Sequence, residues 1–170
     1  ILSDNNSLPA GKLLKIINLI AKSAGLEGMA GGQAIDLMNT KVIINHSQLE
    51  EMHSLKTGKL IQASIMCGYL CGQNYHQSIY DNLLLISSKL GLLFQIVDDI
   101  IDVTGSTEAL GKTAHKDEDN NKSTYVTILG LTDAKQYAKT LYLDIVKELE
   151  QYSGAEFLLY LASVVYSRNN

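Results

Sequence analysis

Three aspartates, Asp98, Asp99 and Asp102, stand inside the stretch FQIVDDIIDVTG, which is otherwise almost wholly apolar. A carboxylate drawn towards an apolar interior costs several kcal/mol unless a cation or hydrogen bonds offset it. At about 100° per residue of α-helix, Asp98 and Asp102 share one face a turn apart, and Asp99 lies to the side. Gln95 and Gly91 continue the Asp98 face, so it offers two carboxylates, an amide and, at the glycine, room for a close approach. Like charges one turn apart repel, and a divalent cation would resolve the conflict. Carboxylates with few other ligands suit Mg²⁺, which keeps several waters and shares substrate phosphates. The same spacing also fits a solvated acidic stripe, so the neighbouring residues must decide.

Those neighbours include placed cations. In SLKTGKLIQAS, Lys56 and Thr57 fall mid-helix and are followed at once by Gly58; Lys112 follows Gly111, and Lys122 precedes STYV. Each alone reads as a solvated lysine. Beside a metal-binding acidic face, together they match the needs of a diphosphate. The run DEDNNK starts like a calcium loop at Asp117, Asp119 and Asn121, but Lys122 stands where the required glycine would be and Ile128 where the bidentate acid would be. No Ser/His/Asp or Cys/His signature is evident. His46, His53 and His76 stand apart and read as surface or capping residues, and the scattered tyrosines read as core.

The elements that must position these groups are helical. No alternating strand pattern competes with the helical period. Pro9 opens PAGKLLKIINLIAKSAG, with Leu13, Ile16, Ile17 and Ile20 as its apolar stripe. A second helix spans roughly 26–38 and carries GMAGGQAIDL. Glycines inside a helix cost about 1 kcal/mol each relative to alanine, so these mark close approach of a backbone or a ligand. Ser47 and Glu50 form a capping-box pattern that opens a long helix towards Leu70. Another helix over 77–103 carries the aspartates, and 105–122 reads as a polar loop long enough to have a function. Thr132 is placed to cap a helix reaching Tyr152, and a short apolar helix ends at YSRNN.

Composition bounds the rest. The 170 residues are 46% apolar, enough for one domain with a real core, and the formal charge of −4 leaves no basic face for nucleic acid. Cys67 and Cys71, one helical turn apart, read as two buried thiols on one face rather than a bridge or a zinc site. No signal-peptide pattern and no apolar run of membrane-spanning length is present, so no stable membrane insertion is expected and the cytoplasm is the expected compartment. The opening ILSDNNSLP lacks a methionine and reads as a helix end running into a turn, which predicts a C-terminal piece of a longer chain.

Taken in order, GMAGGQAIDL, LKTGKLIQAS, LLFQIVDDIIDVTG, LGKTAHKDEDNNKSTYVTILGL and YSRNN closely resemble the C-terminal half of bacterial trans-prenyl diphosphate synthases. The nearest type is geranyltranstransferase, or farnesyl diphosphate synthase, and the likeness covers essentially all of residues 1–170. It implies an all-α helical bundle of the isoprenoid synthase type, here only the C-terminal part of one domain. It also implies Mg²⁺, allylic and isopentenyl diphosphates as substrates, and a homodimer. Position by position, Asp98, Asp99 and Asp102 match the second aspartate-rich motif, whose carboxylate binds Mg²⁺ held also by the allylic diphosphate. Lys56 matches the lysine on that diphosphate, Thr57 and Gln95 match polar groups near the reacting allylic carbon, and Lys112 and Lys122 match the lysines around the leaving diphosphate. Gln33 and Asp36 match the GGQxxD segment that supports the site. His115 departs from the pattern, where glycine is common. The first aspartate-rich motif and the isopentenyl diphosphate site belong to the other half of such enzymes, so the isolated chain is expected to be inactive. A non-catalytic prenyl-synthase-like subunit and a terpene cyclase are the competing readings.

Overall fold

The structure is a computed structural model and describes residues 7–40, 42–109 and 123–168. The described residues form α1 (Ala10–Ala24), α2 (Met29–Met38), α3 (His46–His53), a π-helical turn (Ser54–Gly58), α4 (Lys59–Cys71), α5 (Gln77–Ala109), α6 (Tyr125–Leu129), α7 (Leu131–Leu149) and α8 (Glu156–Ser167). They contain no strand, as the sequence period requires.

The organising element is α5. Its residues Leu90, Leu93, Ile96, Val97 and Ile100 are buried, with Ala134, Ala138, Leu141 and Ile145 of α7, Ala162 and Val165 of α8, and Leu49 and Met52 of α3 in the same core. These positions form one apolar stripe, and buried Gly91, Gln95 and Asp99 widen the covered surface, because α5 packs on α4 and the π turn as well as on α7 and α8. Each fully buried Leu or Ile contributes about 1.5–3 kcal/mol of transfer free energy, so the mid-section of α5 is held firmly.

Several local expectations need correction. Leu13 and Ile16 of α1 are buried, but Ile17 and Ile20 stay 37% and 39% exposed, because the helix packs along a narrower line than its apolar stripe. The cap of α3 is Asn45, not Ser47. The Asn45 side chain accepts from the Gln48 amide, and the Gln48 side chain accepts from the Asn45 amide, both at 3.0 Å. The helix therefore starts earlier than Ser47 and Glu50 predict. From there it continues to Cys71 as one rod, interrupted by the π turn. Helix α5 runs on to Ala109, through residues read as loop.

The short helix α6 has no counterpart in the sequence reading. Thr124 caps it through Thr127, and Gly130, at φ 82°, ends α6 and opens α7. Thr132 thus lies inside the first turn of α7 instead of capping it. Cys67 is half-buried and Cys71 is exposed, against the expectation of two core thiols. The physical reason is that α4 ends at Cys71, where Leu70 is the last residue packed inward.

Candidate active site

Lys56 is placed by backbone contacts. The π turn inserts one more residue into the helix than an α turn holds, a device found often at functional sites. A Cβ on Gly32 would lie 2.2 Å from the Lys56 nitrogen, and a Cβ on Gly91 would lie 2.8 Å from the Gly58 Cα. Helices α2 and α5 therefore touch the π turn main chain to main chain, and only glycine permits either contact. The glycines of GMAGGQAIDL do mark a close backbone approach. The space that Gly91 leaves, however, is filled by Gly58 rather than left open on the acidic face.

One turn beyond Gly32, Asp36 reaches the same lysine. Lys56 Nζ donates to Asp36 Oδ2 at 2.6 Å, with the Asp36 side chain 15% exposed and that of Lys56 34% exposed. One segment of α2 thus fixes both the backbone and the ammonium of Lys56. Thr57 is half-buried beside it, whereas Gln33 points to solvent.

The three aspartates divide. Asp98 is half-exposed, and its Oδ1 accepts from Arg168 Nη2 at 3.3 Å; Asp102 is exposed one turn further on. Asp99 is turned inward and 8% exposed, and its Oδ2 accepts from the Tyr125 amide at 2.7 Å. That hydrogen bond offsets part of the cost of burying the carboxylate, and it ties α5 to the start of α6. Gln95, a turn before Asp98, is 8% exposed.

His53 was read as a surface or capping residue, and the structure places it inside. Both ring nitrogens are buried without a hydrogen-bond partner, and the imidazole stacks on Tyr125 at 5.7 Å between centroids. Burial lowers its pKa below 6.5. Gln95 opposes that shift by approaching the ring without completing a hydrogen bond of normal geometry, Lys56 adds to it, and Asp36 and Asp98 oppose it more weakly. The imidazole stands beside Asp36 and Lys56 at one cavity. Its position four residues after buried Leu49 is the sequence signal that could have found it. Tyr125 is fully buried, and burial, reinforced by Glu50, pushes its phenol well above the ordinary 10.

A cavity of about 90 Å³ brings together Asp36, Lys56, His53, Asp99 and Thr124. Asp98, Asp102, Thr57 and Gln95 do not line it. Lys112 and Lys122 lie outside the described residues, as does His115. Among the described residues no group of three or more His, Cys, Asp or Glu side chains is arranged to hold a metal ion by itself. What the arrangement offers is a fixed ammonium beside a buried imidazole, a buried amide, and two carboxylates on the solvent side of the same helix as that amide.

Helices arranged in this way define an isoprenoid synthase fold. The chain superimposes on a crystal structure from Marinomonas described as a putative farnesyl-diphosphate synthase, with a TM-score of 0.83 at 31% identity, over 97% of this chain and 56% of that one. It matches a Helicobacter pylori geranyltransferase, crystallised with magnesium and isoprenyl diphosphate, with a TM-score of 0.78 at 34% identity, over 98% and 54%. The profile of the polyprenyl synthetase family matches residues 5–157, and the chain belongs to that family. In sequence it is 34% identical to the farnesyl diphosphate synthase of Haemophilus influenzae, over all of this chain and 58% of the relative. It is 41% identical to that of Micrococcus luteus over 78% and 45%. The chain thus spans about half the length of the curated relatives it matches.

Proposed function

We propose that this chain forms the C-terminal part of a Mg²⁺-dependent trans-prenyltransferase of the farnesyl diphosphate synthase type. The enzyme would join an allylic diphosphate, dimethylallyl or geranyl, to isopentenyl diphosphate, and would act as a homodimer. The observation that carries the reading is Lys56, fixed by the backbone at Gly32 and by Asp36 at 2.6 Å, beside a cavity that Asp99 of the acidic helix also lines.

The chemistry asks for such a set. The allylic carbon–oxygen bond breaks and its electron pair leaves with the diphosphate. The alkene of isopentenyl diphosphate attacks the resulting allylic cation to form the new carbon–carbon bond. A proton is then lost to the diphosphate, which gives the longer allylic product. Lys56 stabilises negative charge growing on the departing diphosphate, an effect that is strongest in a site already organised for it. The Gln95 carbonyl and the Thr57 hydroxyl present dipoles to the cation, and the apolar wall of α5 keeps water from quenching it. No protein nucleophile is required.

The donor set fits Mg²⁺. Asp98 and Asp102 are hard oxygen donors on the solvent side of one helix, with Asp99 behind them, and Asp98 already draws a cationic side chain. Two carboxylates suffice for an ion that keeps its waters and shares phosphate oxygens, and the bound ion would neutralise charge on the leaving diphosphate. Lys112 and Lys122 complete the proposal as further diphosphate cations.

In the full-length protein, Lys56→Ala or Asp98→Ala is expected to lower condensation turnover by about 10²–10³-fold. Near-normal turnover in either variant would sink the assignment. The isolated 170-residue chain is expected to be inactive, and robust condensation by it would refute its being only part of a site.

A further inference from the structure

Two ion pairs among the described residues of the site are built differently. Lys56–Asp36 is short, at 2.6 Å, and its carboxylate is 15% exposed. Arg168–Asp98 is a single contact at 3.3 Å, with side chains 39% and 45% exposed. Charge-assisted N–H···O bonds of full strength fall near 2.7–2.9 Å, so the second pair is long and is screened by solvent. Arg168 does not depend on Asp98 for its place, because its guanidinium also lies over the Phe94 ring at 5.0 Å from the centroid. Phe94 is one turn before Asp98 on α5, so ring and carboxylate together make a seat for one cation on the solvent side.

We propose that Arg168 is an exchangeable counter-cation for Asp98, holding that carboxylate until a metal–diphosphate complex displaces it. The inference rests on the reading of Asp98 as a metal ligand and adds a regulatory contact to that site. A monodentate, half-exposed pair stabilises the unliganded state by a small amount, and metal binding must give that amount up. The Phe94 ring supplies a resting place for the guanidinium after exchange, so the arginine stays close while its carboxylate partner changes. The cost to the metal is therefore small and specific to Asp98.

The test is a Mn²⁺ titration of the full-length protein at saturating inorganic diphosphate, followed by the electron paramagnetic resonance signal of free Mn²⁺. Arg168→Gln is expected to tighten Mn²⁺ binding about two- to fivefold, the range that an exposed ion pair can supply. Asp98→Asn should weaken it at least about tenfold, as befits a direct ligand when even outer partners matter that much. In the Asp98→Asn background, Arg168→Gln should have no effect. Arg168→Lys, which keeps the charge, should bind Mn²⁺ more nearly like the wild type. If Asp98→Asn weakens binding and Arg168→Gln leaves it unchanged or weaker, the exchange is refuted and the metal reading stands. If Asp98→Asn has no effect, the metal reading fails and the exchange falls with it.

Discussion

Helix α5 meets its neighbours in two opposite ways. Towards α7 and α8 it buries Leu93, Ile96 and Ile100 in an interface of interdigitating side chains. Towards the π turn it offers Gly91, whose backbone lies against that of Gly58, and α2 presses Gly32 on Lys56 in the same manner. A side-chain interface adapts, because rotamers can shift to refill a volume. A main-chain interface cannot, so it fixes position more tightly. The fold places its adaptable interface behind the site and its unadaptable one beneath the lysine.

Substitutions can break or sharpen that contrast. The largest change in stability is expected for Leu93→Ala, at about 2–5 kcal/mol in urea unfolding, because the side chain is wholly buried. The surviving folded fraction should keep near-normal chemistry; a loss of turnover beyond the loss of fold would show that the two interfaces are not separate. Next is Gly32→Ala. The added methyl meets backbone at 2.2 Å, so a net destabilisation of about 1–3 kcal/mol is expected even after the helix-propensity gain. Turnover should fall further than stability accounts for, since Lys56 must move. Equal and small effects on both would mean that the junction yields after all.

The opposite sign is expected at Gly68 of α4, which has nothing within 4 Å of a Cβ. Gly68→Ala should stabilise by about 0.5–1 kcal/mol, and a thermal melt showing destabilisation would refute the view that only contact glycines matter.

The smallest effect concerns His53. Burial holds its folded pKa below the ordinary 6.5, so the unfolded chain takes up a proton more readily than the folded one. Its contribution is fully present above about pH 6.5 and is lost as pH falls through the folded pKa. His53→Gln should flatten the stability profile as pH falls below about 6.5. An unchanged slope would show that the imidazole titrates freely.

Much of this was legible in the sequence, and the exceptions share a cause. Period and turn residues gave the helices, and the spacing of Asp98 and Asp102 gave their common face. The glycines of α2 announced a close approach. What periodicity does not reveal is a break in itself, and the π turn at Ser54–Gly58 is invisible to a rule that assumes a constant angle per residue. The inward turn of Asp99 depends on an amide 26 residues away, at Tyr125. At α3 the cap had a nearby competitor of equal propensity, Ser47 beside Asn45, and α7 is opened by Gly130 rather than capped by Thr132. His53 read as a surface or capping residue until α3 and α5 were brought together.

The π turn also has a meaning in the language of insertions and deletions. One residue added to an α-helix rotates everything beyond it by about 100°, which would carry Ala63 and Met66 away from the core. A π turn absorbs such an addition locally and leaves the helix on either side in phase. Deleting one codon within 54–58 should therefore give a chain whose α3 and α4 still bury Leu49, Met52, Ala63 and Met66. What that chain would lose is the displaced backbone at Lys56 that now rests on Gly32.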